Sequence, residues 1–283
     1  MNPHDTGNDS TPIQVQLSSG SNTIASLCTI SNKLSIAELE IMLKSFRLYH
    51  CDIPIYVGGD SFTCKRVEKW HIRNVTTKRM IPDDLRPAQN CPAWLKLMLK
   101  KTDIMDVALD ECGDTLFVDA DMLFLHSVVG IAVQEREVAL SPHYINREDE
   151  KKYGRYNGGY VWTSEKVFPQ WWRDTTPGST YYEQQALVHA PTIFATQELK
   201  PNHNQSWWRL DQVGPKERGK RRKLFKVNGG VIMYDRWPLV SVHTHILDKG
   251  PKCASINKLT KSLLKQSTSG RHKTILELIK GAK

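Results

Sequence analysis

Apolar and polar positions alternate in two distinct rhythms along the chain. Thr23–Ile30 is a β-branched, apolar run and predicts a first strand. Leu34–His50 places Ile36, Leu39, Met42, Leu43, Phe46 and Leu48 close to helical spacing. Ile53–Val57, closed by Gly58-Gly59-Asp60, predicts a second strand and turn, and Ile72–Val75 a third. Pro92 opens a helix that carries Trp94, Leu95, Leu97, Met98, Ile104, Met105 and Ala108 and ends at Gly113. Thr115–Val118 is the next strand. Strand–helix–strand alternation of this kind predicts right-handed βαβ units: an α/β domain with a Rossmann-like, mostly parallel central sheet flanked by helices. Further strands are expected at Val138–Ser141, Gly159–Thr163 and Val231–Tyr234, and helices near Lys166–Arg173, Tyr181–His189 and Thr274–Lys280.

Residues 1–22 break the pattern. They are polar and rich in Ser, Asn, Asp and Pro, without a basic segment leading into an apolar one, so a disordered leader is expected there and not a signal peptide. Residues 23–283 contain no low-complexity linker and predict one domain. Hydrophobic residues make up 40% of the sequence, with eight tryptophans, which is ample for a packed core. The six cysteines show no CxxC spacing and no regular framework, so reduced thiols and a cytoplasmic location are expected. No apolar run reaches the ~18 residues that span a bilayer. The net charge of +9 is concentrated in 216–226 and beyond residue 249. The first run predicts a solvated basic loop, with a phosphate-facing or anionic-surface contact as the alternative. No zinc spacing or RNA-recognition motif supports nucleic acid as the partner.

The strongest chemical signal is where the fourth strand ends. Asp119 and Asp121 follow the apolar run Thr115–Val118, and in open α/β sheets ligands bind at the carboxyl edge. Two carboxylates one residue apart are hard oxygen ligands suited to Mg²⁺ or Mn²⁺ bridged to a diphosphate. An apolar strand running into Asp-x-Asp also occurs in haloacid-dehalogenase-type phosphatases, where the first carboxylate, here Asp119, is the nucleophile. Met122-Leu123-Phe124 after the pair and the βαβ units before it fit that class poorly.

Taken with four later segments, the pair resembles glycosyltransferases of the GT-A fold, in particular the glycogenin-like, family 8 type of retaining enzyme. The segments are Trp94-Leu95-Lys96, Tyr156-Asn157-Gly158-Gly159-Tyr160, Tyr182-Glu183-Gln184-Gln185-Ala186-Leu187, and Val242-His243-Thr244-His245 running to Lys249. Two positions depart from the family pattern: Ile246 stands where glycine is usual and Gly250 where proline is usual. The resemblance implies a nucleotide-sugar-binding half over 23–125, an acceptor and metal half over 126–250 and a C-terminal helical tail over 251–283. It implies Mn²⁺ or Mg²⁺ held by Asp119, Asp121 and His243, with His245 as the alternative imidazole. It implies a nucleotide-diphosphate sugar as donor, UDP being the expected carrier, contacted by Lys96, Lys249, Thr29, Ser31 and Asp60. Asn157, Gly158, Gly159 and Trp162 would line the acceptor side, and Gln184 or Glu183 would lie beneath the sugar of a retaining enzyme. The acceptor would be a glycan, a protein or a small molecule. Trp171-Trp172 and Trp207-Trp208 are either core or sugar-stacking residues.

Overall fold

The computed structural model describes residues 23–282 apart from 84, 86–90, 133–134, 146 and 180, so the polar leader lies outside the described residues. The first half alternates as expected: β1 (Leu27–Ser31), α1 (Ile36–Arg47), β2 (Ile55–Gly59), α2 (Ser61–Glu68), β3 (Val75–Arg79), α3 (Pro92–Met98), α4 (Lys100–Cys112) and β4 (Thr115–Val118). β5 (Met122–Phe124) follows, then β6 (Val138–Pro142), α5 (Arg147–Tyr153), β7 (Tyr156–Thr163) and α6 (Phe168–Thr175). A 3₁₀ helix over Glu183–Thr192 leads to β8 (Thr196–Glu198), β9 (Gln205–Ser206), α7 (Trp207–Asp211) and α8 (Pro215–Arg222). The chain closes with β10 (Phe225–Asn228), β11 (Val231–Tyr234), β12 (Trp237–Pro238), β13 (Ser241–His243), α9 (Ala254–Gln266) and α10 (Gly270–Gly281).

Seven strands form the central sheet in the order β3-β2-β1-β4-β7-β6-β8. All neighbouring pairs are parallel except the two made by β7, which runs antiparallel to β4 and β6. The carboxyl ends of β1, β2, β3, β4, β6 and β8 therefore share one edge. β1, β2 and β4 are buried along their whole length, which is why they carry no charged residue and are mostly apolar. A second sheet, in the order β5-β13-β9, pairs Met122 with His243.

Several elements differ from expectation for local reasons. His71 and Asn74 adopt positive φ, so a turn occupies 71–74 and β3 starts at Val75. The helix after Pro92 is broken at Leu99, whose carbonyl accepts Thr102 Oγ1 at 2.7 Å. Asn157-Gly158-Gly159 lies inside β7 and is not a turn before it. The basic run is not a loop: it forms α8 and enters β10, with Arg218 and Arg221 donating to the carbonyls of Leu210 and Arg209. The C-terminal segment is helical, as α9 and α10, and its Cys253, Ile256, Leu263, Leu264, Ile275 and Ile279 share a core with Leu123, Leu125 and Val242.

Three buried histidines tie stability to pH. His50 Nε2 accepts the Val128 amide at 2.8 Å, which requires an unprotonated nitrogen, and His143 Nδ1 donates to the Gly154 carbonyl at 3.1 Å. Burial pushes His50, His143 and His203 down to about 4 from an ordinary 6.5. Between those values the unfolded chain binds more protons than the folded one. Stability is thus fully present above pH 6.5 and is lost as pH falls toward 4. Thermal melts should show Tm dropping across that window. His50→Gln keeps an acceptor for Val128 and should remove about one proton, ~1.4 kcal/mol per pH unit, from the slope. An unchanged slope in that variant would remove His50 from the account.

Candidate functional site

The main-chain path after β4 brings the site together. Asp119 N donates to Gly159 O at 3.1 Å, Met122 N returns to Asp119 O at 3.3 Å, and Thr244 N donates to Asp121 O at 3.1 Å. Asp119-Ala120-Asp121 is therefore a turn joining β4 to β5. The carboxylates converge through that turn and not through alternation along an extended strand.

His243, at the end of β13, faces them. Its Nε2 lies 3.1 Å from Asp121 Oδ1 and 3.7 Å from Asp119 Oδ2. One donor atom from each of Asp119, Asp121 and His243 falls within 4.8 Å of the others, the only such group among the described residues. His245 stands one step outside, with Nδ1 3.1 Å from Glu38 Oε2 and 3.5 Å from Asp121 Oδ2. Burial opposes charge on Asp121, but His243 and His245 hold its carboxyl well below the usual carboxylate range. Burial likewise opposes the imidazolium of His243, and Asp121 raises it above its ordinary value. The Glu38 hydrogen bond lifts His245 to about 9. The edge of Trp208 packs on the His243 ring at 5.1 Å between centroids.

Lys101 links this cluster to a second one. Its buried ammonium lies 2.6 Å from Glu183 Oε1, 3.2 Å from Asp119 Oδ1 and 3.3 Å from Gly158 O. Burial alone would lower its pKa, but Asp119 and Glu183 outweigh burial and hold the ammonium above its ordinary value. Glu183 keeps its other oxygen, Oε2, without a protein partner.

β7 is the floor. A Cβ on Gly159 would enter the van der Waals envelope of Asp119 Oδ2 and lie 2.7 Å from His243 Cε1. One on Gly158 would meet Glu183 Oε1 at 3.0 Å and Gln184 Cβ at 3.1 Å. The absence of side chains here is what lets four charged groups approach one strand. Gly159→Ala should push Asp119 off the cluster and weaken Mn²⁺ binding by at least about tenfold, ~1.4 kcal/mol, measured by calorimetry. Wild-type affinity would show that the close approach has no part in holding a cation.

A cavity of about 270 Å³ opens in front of the cluster at the carboxyl edge of the sheet. Ser31, Asn32 and Ser35 line it from the β1–α1 connection, Glu38 from α1, and Leu97, Met98 and Lys101 from the α3–α4 corner. Asp119, Asp121 and His245 close it.

Of the residues singled out from sequence, Asp119, Asp121, His243, His245, Gly158, Gly159, Glu183 and Ser31 are brought to this region. Asn157 is buried beneath it, its Oδ1 taking Asn204 Nδ2 at 3.1 Å and Gly159 N at 3.2 Å. The others sit elsewhere. Lys96 is exposed on α3 and Lys249 is exposed beyond His245; neither lines the cavity. Thr29 is fully buried within β1, and Asp60 is buried as the cap of α2, accepting Thr63 N at 2.8 Å. Trp162 lies three residues down β7 toward the opposite end of the sheet, where its indole donates to Asp114. Gln184 donates to Tyr153 O at 3.0 Å and does not line the cavity. Trp172 is core, its indole bonded to Glu183 O.

Among the polar cavity residues, Lys101, Glu38, Asn32 and Ser35 are those that sequence reasoning missed. A signal for Lys101 was present: it shares a helical face with Ile104, Met105 and Ala108, and a lysine on a buried face needs a buried partner.

No protein-family model matches the chain, and no curated protein matches its sequence. Solved structures do. The chain is similar to the galactosyltransferase LgtC in complex with donor and acceptor sugar analogues, at TM-score 0.54 and 13% identity over 89% of this chain and 100% of that one. An active-site mutant of LgtC gives TM-score 0.54 and 11% identity, covering 86% and 96%. The bifunctional glycosyltransferase WbbM gives TM-score 0.52 and 8% identity over 91% of this chain, which spans about half, 52%, of WbbM. The shared architecture is the GT-A fold.

Proposed function

We propose that the chain is a glycosyltransferase that moves a sugar from a nucleotide-diphosphate donor, UDP being the expected carrier, to an acceptor hydroxyl with a divalent cation bound. One observation carries this reading: two carboxylates and an imidazole converge at the mouth of a cavity at the carboxyl edge of a GT-A sheet. The residues fit a cation. Asp119 divides its oxygens, Oδ1 toward Lys101 and Oδ2 toward His243, leaving an O,O,N donor set that suits Mn²⁺. When bound, the ion neutralises the diphosphate as it leaves.

The remaining work falls to protein groups. Ser31, Asn32 and Ser35 offer hydroxyl and amide groups to the nucleoside end of a donor. Lys101 supplies a fixed positive charge between the cation site and Glu183, where the sugar would lie. Glu183 Oε2 is buried without a protein partner and is the polar group this reading assigns to a retaining transfer, whereas the amide of Gln184 is already committed to Tyr153. Neither oxygen of Asp119 is presented as a free nucleophile, which argues against the phosphatase alternative.

A panel of UDP-, GDP- and CDP-sugars incubated with Mn²⁺ tests the reading, with release of the nucleoside diphosphate as the measured product. Metal-dependent hydrolysis of one donor class is expected. No turnover of any donor, or release of phosphate from p-nitrophenyl phosphate instead, would overturn it.

A further inference from the structure

Among the described residues Leu34 and Phe62 are two of the few large apolar side chains left exposed, at 77% and 45%. Leu34 lies in the 3₁₀ turn Lys33–Ser35 after β1 and Phe62 in the first turn of α2 after β2, both at the carboxyl edge. Lys33 N donates to Asp60 Oδ2 at 3.1 Å and Lys33 Nζ sits 5.4 Å from the centre of the Phe62 ring, so the two turns form one surface. Along α2, Phe62, Lys65, Arg66 and Lys69 follow the i, i+3, i+4, i+7 rule and all are exposed. The acidic groups nearby are already used. Asp60 is turned inward as a cap, Glu68 accepts Thr77 Oγ1 at 2.8 Å, and Asp83 pairs with Arg79 at 2.9 Å.

Leu34 and Phe62 share this surface with the exposed Lys33, Lys65, Arg66 and Lys69. A stable protein interface needs roughly 800 Å² per partner with an apolar centre. Two side chains set among cations do not supply that. They do match an interfacial membrane contact, where apolar tips enter the headgroup region and basic residues meet anionic lipid. The same sheet edge carries more positive charge at its other end: α8 is bonded through Arg221 to Tyr144 O after β6 and leaves Lys216, Lys220, Arg222 and Lys223 exposed. No helix among the described residues is long and apolar enough to cross a membrane.

We infer that the Leu34/Phe62 patch docks this edge of the molecule peripherally on an anionic lipid bilayer, with the cavity mouth beside the membrane surface. The inference does not depend on which reaction the cavity supports. Co-sedimentation of the full chain with phosphatidylglycerol/phosphatidylcholine vesicles is expected, falling with added salt, with little binding to pure phosphatidylcholine. The double variant Leu34→Ser, Phe62→Ser and, separately, Lys65→Glu, Arg66→Glu should each lower partitioning at least about tenfold, with an unchanged Tm as evidence of folding. Absence of vesicle binding by the wild type, equal binding to neutral vesicles, or unchanged binding in both variants would overturn the inference. A change in self-association of the first variant, seen by sedimentation velocity, would assign the patch to a second copy of the chain instead.

Discussion

Asp121→Asn is expected to lower Mn²⁺-dependent donor turnover by at least about 10³-fold, ~4 kcal/mol of transition-state stabilisation, while leaving the fold intact. Asparagine keeps the shape of the side chain, and the Thr244–Asp121 hydrogen bond runs between main-chain atoms, so packing is preserved. What it removes is the charge on which the cluster is built. In the wild type, Asp121 holds the His243 imidazolium above its ordinary value and is itself held low by His243 and His245. Without it a bound cation would lose one of two anionic ligands and would be held less firmly against a leaving diphosphate. Calorimetric titration with Mn²⁺ and steady-state donor hydrolysis separate the two effects: a cation Kd raised with turnover lost at saturating Mn²⁺ is the expected pattern. Wild-type turnover in the variant would end the case for a catalytic cation at this turn.

The half of the fold that binds the cavity was legible because its strands are buried on both faces and its helices are amphipathic. β1, β2 and β4 are uncharged, mostly apolar segments too short for helices. Asp119 and Asp121 stood out for the same reason, as charges placed directly after such a run. His243 could be ranked above His245 but not fixed, since the choice depends on the pairing of Met122 with His243 across β5 and β13, which no local pattern encodes. Trp162 illustrates the opposite failure. It lies in the right strand, but the antiparallel course of β7 carries it away from the edge where Asp119 sits. Lys96 and Lys101 would lie about 140° apart on one continuous helix, so the choice between them depends on which face packs inward.

Lys101→Met is expected to be the most destabilising single change at the site, by about 3–5 kcal/mol. The ammonium is buried between Asp119 and Glu183, and both carboxylates depend on it. Methionine fills the space but leaves Glu183, 4% exposed, as an uncompensated buried charge. Tm should fall by about 10 °C. Glu183→Gln on the Lys101→Met background removes that charge and should recover at least half of the loss, a coupling that a double-mutant cycle reads directly. Mn²⁺ separates the two carboxylates. A cation bound by Asp119 can offset the missing ammonium on that residue but not on Glu183, which stands on the far side of Lys101. Saturating Mn²⁺ should therefore raise Tm more in Lys101→Met than in the wild type. It should do so to the same extent whether residue 183 is glutamate or glutamine. If the two backgrounds responded differently to the ion, Glu183 would belong among its ligands and not beneath the sugar.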